Sequence, residues 1–184
     1  MFSKKLLLAG LVTLTMVATM GVAATSLAHG DEQGHSAHGE KSPAAFETMV
    51  GDYLFIQTAL AGDSLKMVEK HAAAIAKSAR ALEKEFSIEA AGIEEKDAEN
   101  LRKILPELAA SATAFAKAKD IEAARKSFAP LSSAMVSYRN MMTGEVPNVA
   151  YCPMVKESWL QNGKNIANPY YGSKMLRCGS IVTE

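Results

Sequence analysis

The chain has 184 residues, and its twenty basic and twenty acidic side chains cancel to a formal net charge of zero. A balanced chain lacks the basic excess that a nucleic-acid surface needs. With an export segment set aside, about 155 residues remain, enough for one domain around a single core.

Residues 1–28 have the pattern of a secretory signal peptide. Lys4 and Lys5 precede an uncharged run from Leu6 to Ala24, and Ser26-Leu27-Ala28 offers a small-x-small cleavage site. The competing reading, a retained membrane anchor, rests on the run's near-spanning length. Cleavage implies export, most simply to a bacterial periplasm, and loss of both lysines leaves the exported chain slightly acidic.

Residues 29–42, HGDEQGHSAHGEKS, contain no large apolar side chain and are expected to be a disordered, His-rich linker. Its histidines, His29, His35 and His38, are either weak copper, zinc or nickel ligands or plain solvated residues.

Residues 43–144 carry helical periodicity. Ser42 followed by Pro43 suits an N-cap and first turn. Phe46, Met49, Val50, Tyr53, Leu54, Gln57 and Leu60 then share one helical face, ending at Gly62. Asp63 is placed to cap a second helix, Ser64 to about Phe86, with Leu65, Val68, Ile75, Ala79, Leu82 and Phe86 inward. A third helix spans about Glu94 to Ala118 and turns Leu101, Ile104, Leu105, Leu108 and Phe115 inward. The fourth starts near Asp120 and has a seam of Ile121, Ala124, Phe128, Leu131, Met135, Tyr138 and Met142. Met141 falls off that seam. Pro106 and Pro130 lie inside helices three and four and are expected to kink or break them. The fold class expected is all-α, an up-and-down four-helix bundle.

Residues 145–184 read as an irregular segment packed on the bundle. Pro147, Pro153, Gly163, Asn168-Pro169 and Gly172 interrupt any long helix, leaving Lys156 to Asn162 for a turn or two. Both cysteines of the chain lie here, each beside a methionine: Cys152-Pro-Met154 and Met175-Leu-Arg-Cys178.

Two readings of these sulfurs stand together. In an oxidising compartment the cysteines would form a disulfide, worth about 3–4 kcal/mol on the chain-entropy model. Alternatively, thiolate and thioether are soft donors that together select Cu(I) or Ag(I), whereas zinc takes thioether poorly. His71, on the edge of the second helix's apolar stripe, is a further candidate ligand or else a core histidine. Trp159, Tyr170 and Tyr171 would either shield a Cu(I) centre or dock the segment on the bundle. The chain carries no glycine-rich phosphate loop, nucleophile elbow or C-x-x-C-H haem motif, so the expectation is a protein that is not an enzyme.

The ordered strings CPM, WLQ, NPYYG, KML and CG resemble a small periplasmic domain of unknown function. That domain occurs alone or fused to the C-terminus of CusB-type adaptor proteins of heavy-metal efflux pumps. The resemblance is loose over residues 45–182 and close over 151–179. It implies a helical bundle, copper or silver handling, and Cys152, Met154, Met175 and Cys178 as the ligand set. No adaptor hairpin or barrel precedes the motif here, which favours a free-standing Cu(I)/Ag(I) binder, whether chaperone, buffer or efflux accessory. The alternative is a disulfide-stapled helical module that contacts an efflux pump component and holds no metal.

Overall fold

A computed structural model describes residues 44–182. The expected signal peptide, the His-rich linker and the Ser42-Pro43 cap lie outside the described residues.

Four long helices form where the apolar spacing places them: α1 (Ala45–Ala61), α2 (Val68–Lys84), α4 (Ala98–Phe115) and α5 (Ile121–Arg139). A single turn, α3 (Ile88–Ala91), lies between α2 and α4, capped by Ser87 Oγ accepting from Ala90 N–H and closed by Gly92 in the left-handed region. Consecutive long helices pack on one another, and α5 returns to α1, closing a four-helix bundle. The core is the expected set with additions. Met49, Tyr53, Ile75, Leu101, Leu105, Leu108, Phe128, Leu131, Met135 and Tyr138 are fully buried, as is Ile56, which the sequence reading omitted. Met141 and Met142 pack half-buried against it.

Three local expectations change. Helix α2 starts at Val68 rather than Ser64, because Asp63 and Met67 both take positive φ (55° and 66°) and cannot lie within a helix. Asp63 does not cap α2; its carboxylate is turned toward the C-terminal segment. Pro106 and Pro130 interrupt neither helix. Both prolines lie on the exposed faces of their helices, as do Arg102 and Lys126 one turn earlier.

The largest correction concerns residues 145–184. They are not irregular: β1 (Asn148–Cys152), β2 (Glu157–Gln161) and β3 (Ser180–Ile181) form an antiparallel sheet in the order β2-β1-β3. The molecule is therefore mostly helical with a small sheet, and the segment proposed as a helical turn is β2. Pro153 sits in the turn between β1 and β2, where no ladder hydrogen bond is required of it. The strands bury consecutive residues, Leu160 beside Trp159 and Val149 beside Ala150, so they lack the alternation that marks a half-exposed strand.

The sheet lies against α5 and α1. Trp159 is fully buried, Tyr170 meets Phe128 at 5.5 Å between centroids, and Tyr170 Oη donates to the Ser158 carbonyl at 2.8 Å. Tyr53 and Ser132 share a hydrogen bond beneath it; Ser132 Oγ donates to the Ser158 carbonyl at 2.8 Å, and Leu160 N–H donates to Tyr53 Oη at 3.2 Å. Hydrophobic docking of the aromatic trio is thus the arrangement adopted, with Tyr171 half-buried at its margin.

Arg125 ties the rest of the segment down. Though buried, its guanidinium donates to Pro169 O at 3.1 Å, to Leu60 O at 2.9 Å, and to the Asp63 carboxylate. Asp63 Oδ2 in turn accepts Ser173 N–H at 3.1 Å. Gly172 has φ +57°, and a Cβ there would overlap both Arg125 Nη2 and Asp63 Oδ1. Gly172→Ala should therefore lower unfolding free energy by about 3 kcal/mol, the left-handed strain plus a displaced charged hydrogen bond; urea denaturation measures it.

Hydrogen bonds from Ser173, then Arg125, hold the Asp63 carboxyl down to about 2. A depressed carboxyl contributes stability that is complete above the unfolded value, about 3.9, and vanishes as pH falls through the folded one. The wild type should lose an increment of stability between about pH 4 and pH 2 that Asp63→Asn does not lose, read from thermal melts across that range.

Candidate functional site: a paired-thiol centre

Cys152 ends β1 and Cys178 stands two residues ahead of β3, the strand that pairs with β1. Antiparallel pairing of Tyr151 with Ser180 carries the two sulfurs to the same edge. Their Sγ atoms lie 3.3 Å apart, both as free thiols. Cys152 is fully buried; Cys178 is partly exposed. Gly179 (φ +132°) lets the chain pass close, since a Cβ would sit 2.7 Å from the Trp159 ring and 2.8 Å from Tyr151 O.

The Cys152 sulfur sits in a nest of donors. The turn Pro153-Met154-Val155-Lys156 closes with Lys156 N–H on Cys152 O at 2.8 Å and with Lys156 at φ 60°. It aims the backbone N–H groups of Val155 and Met154 at the sulfur, and the Asn168 side chain adds a third donor. Burial pushes the Cys152 thiol up, but these bonds, together with the Cys178 thiol, outweigh it and hold Cys152 below the ordinary thiol range. Cys178 is held above that range, first because its proton bonds Cys152, then by burial and the neighbouring negative sulfur. The two thiols therefore titrate as a coupled pair in which Cys152 gives up its proton before Cys178.

Asn168 is the organiser. Fully buried, it donates from Nδ2 to Cys178 O at 2.8 Å and also bonds the Cys152 sulfur. Its Oδ1 accepts Tyr170 N–H at 2.8 Å and Tyr171 N–H at 3.2 Å, and its backbone N–H meets Leu176 O at 2.9 Å. Sequence reasoning used Asn168-Pro169 only as a helix breaker. An Asn whose side chain can accept from the amide two residues on is a turn signal in its own right, and it was available. Gln161 plays a similar part for residues 163–167: its Oε1 accepts from Trp159 Nε1 at 3.0 Å and Ala167 N–H at 3.2 Å, while Nε2 serves the Gly163 and Asn165 carbonyls. The WLQ and NPYYG strings thus build the frame around the thiols.

Of the residues singled out by sequence, Cys152 and Cys178 are brought together. Met154 follows on the turn, 62% exposed. Met175 is half-buried in the 3-10 turn Gly172–Met175, and its carbonyl accepts Cys178 N–H at 3.0 Å. His71 stands apart: Nδ1 lies 2.7 Å from Asp52 Oδ1 and the ring stacks on Phe55 at 3.9 Å. Among the described residues no three His, Cys, Asp or Glu side chains gather closely enough to hold a metal, so His71 does not join the cysteine pair.

Residues 49–144, more than half of the chain, match the family described as "Protein of unknown function (DUF3347)", and the chain belongs to that family. The match covers most of α1 through the end of α5 and stops at Gly144, so the sheet and both cysteines lie beyond it. No curated protein and no solved structure matches the chain. Among the described residues no helix is long and apolar enough to cross a membrane.

Asn168→Asp would set carboxylate oxygens against Cys152 Sγ and the Cys178 carbonyl, both now served by a donor. Stability should fall by about 2–3 kcal/mol at neutral pH, and the first thiol titration, followed by thiolate absorbance near 240 nm, should move to higher pH than in the wild type.

Proposed function

We propose that this protein is an exported, periplasmic Cu(I)- and Ag(I)-binding protein, a chaperone, buffer or efflux accessory, whose site is Cys152 and Cys178 with Met154 and Met175. The observation that carries the reading is the 3.3 Å contact between two free thiols from distant parts of the segment. A disulfide needs its sulfurs at about 2.05 Å. Two thiolates on one tetrahedral ion with metal–sulfur bonds of about 2.3 Å stand roughly 3.8 Å apart. The pair is nearer the second arrangement, and a small rotation of the less buried Cys178 reaches it.

The donor chemistry agrees. Backbone N–H groups on Cys152 stabilise its thiolate, the form that binds metal, and the adjacent donors available are thioethers, which favour a soft monovalent ion. Proline before Met154 stiffens the turn that carries it. The resemblance of the CPM to CG strings to domains fused to CusB-type adaptors points the same way and supplies the efflux context. His71, held by Asp52, is left out of the sulfur set in this reading.

A second reading keeps its footing on the same contact: oxidation would close Cys152 to Cys178 and staple the sheet edge, leaving the bundle surface as an adaptor for an efflux component. Intact mass of protein purified without reductant, then challenged with Cu(I) and mild reductant, separates the two.

Reduced, metal-free protein should take up one Cu(I) and melt at higher temperature, with a gain of about 4 kcal/mol when free Cu(I) is 1,000 times Kd. Affinity should weaken as pH falls, since the cysteines must give up their protons. X-ray absorption should show a sulfur-dominated shell. No thermal shift, or a nitrogen-dominated shell, would overturn the assignment, the latter moving the ion to His71 or to the His29, His35 and His38 stretch.

A further inference from the structure

The four sulfurs differ in how far they can move. Cys152 is fully buried and its sulfur is held by the Val155 and Met154 N–H groups and by Asn168. Met175 is half-buried, with its backbone carbonyl bonded to Cys178 N–H. Met154 is the opposite case. Its side chain is 62% exposed, one of four large apolar side chains so placed among the described residues, with Phe55, Met67 and Val182. Its backbone lies in the turn that Lys156 N–H closes on Cys152 O at 2.8 Å, which holds Met154 beside the pair while its side chain stays exposed.

That combination has a geometric consequence. The thioether sulfur is three bonds from a Cα anchored next to Cys152 Sγ, on an unbranched chain whose rotations in solvent meet little resistance. It can swing between the solvent and an ion held by the two cysteines. No other donor of the set combines this reach with such exposure: the cysteine sulfurs have one rotatable bond each, and Met175 is half-buried.

We propose that Met154 is the mobile ligand of the centre, taking an incoming soft ion from solvent and presenting it to a soft-donor acceptor on release, so that the exchange partner approaches over the Pro153–Lys156 turn. This rests on the sulfur-site reading above. The ion keeps its charge throughout: the acceptor's donor atom bonds the metal as Met154 turns toward solvent, the cysteine–metal bonds break as the acceptor's form, and the freed thiolates take protons from water. The partner class is a protein or small molecule with exposed thiolate, thioether or aromatic-nitrogen donors, small enough at its tip to reach a turn.

The test uses the reduced full chain loaded with one Cu(I), mixed by stopped flow with bathocuproine disulfonate as acceptor. Met154→Leu keeps the shape and removes the donor; Met175→Leu is the control at the half-buried methionine. We expect Met154→Leu to retain one Cu(I) but transfer it about tenfold more slowly, equivalent to about 1.4 kcal/mol on the exchange barrier, while Met175→Leu changes affinity more than rate. Transfer from Met154→Leu at the wild-type rate, with one Cu(I) still bound, overturns the mobile-ligand role and leaves the sulfur site standing. Failure of the wild type to bind Cu(I) overturns both.

Discussion

The Asn168 side chain is the interaction on which the site depends. Cys152 and Cys178 come from opposite ends of a 26-residue separation, and no helical or strand period relates them. One buried amide bonds the sulfur of the first and the carbonyl of the second while its oxygen holds the Tyr170 and Tyr171 amides. Each of its donors and acceptors is used, which fixes the amide's orientation and, with it, the two chain segments. Pairing of β1 with β3 then sets the register, and the sulfurs meet as a result.

Such a frame needs a rigid floor, and the bundle supplies it. Trp159, Leu160 and Tyr170 are buried on the α1 and α5 side, and Tyr53, Ser132 and Gln57 meet the segment's polar backbone there, Gln57 Nε2 donating to Ala167 O at 2.6 Å. Arg125 closes the other end by joining the end of α1, Asp63 and Pro169. The family match covers the floor and not the sulfur centre. The bundle is thus the part the family shares, and the sheet and both cysteines lie on it as a further segment.

The division between legible and illegible parts follows from the range of the forces involved. Helix seams are local: Met49, Tyr53, Phe128, Leu131, Met135 and Tyr138 announce their burial through spacing alone, because one turn of helix sets which side chains share a face. The start of the last helix near Asp120 was equally plain, and the structure adds that Asp120 caps α5 by accepting Ala123 N–H at 2.8 Å. Asp63 shows the limit. Its sequence neighbourhood suits a helix cap, yet a buried guanidinium 62 positions away competes for the carboxylate and wins. The strands were hidden for a related reason: with one face on the bundle and an edge paired at each side of β1, consecutive residues are buried and the period of two is lost.

What the sequence by itself determined was the helical scaffold and the clustering of soft donors in the last forty residues, since both are matters of composition and short-range period. Tertiary structure alone decided that the two cysteines meet, that His71 pairs with Asp52 instead of joining them, and that Met154 faces water while Cys152 does not. These outcomes depend on contacts between residues far apart in the chain, whose free energies belong to the folded pair and to neither residue separately.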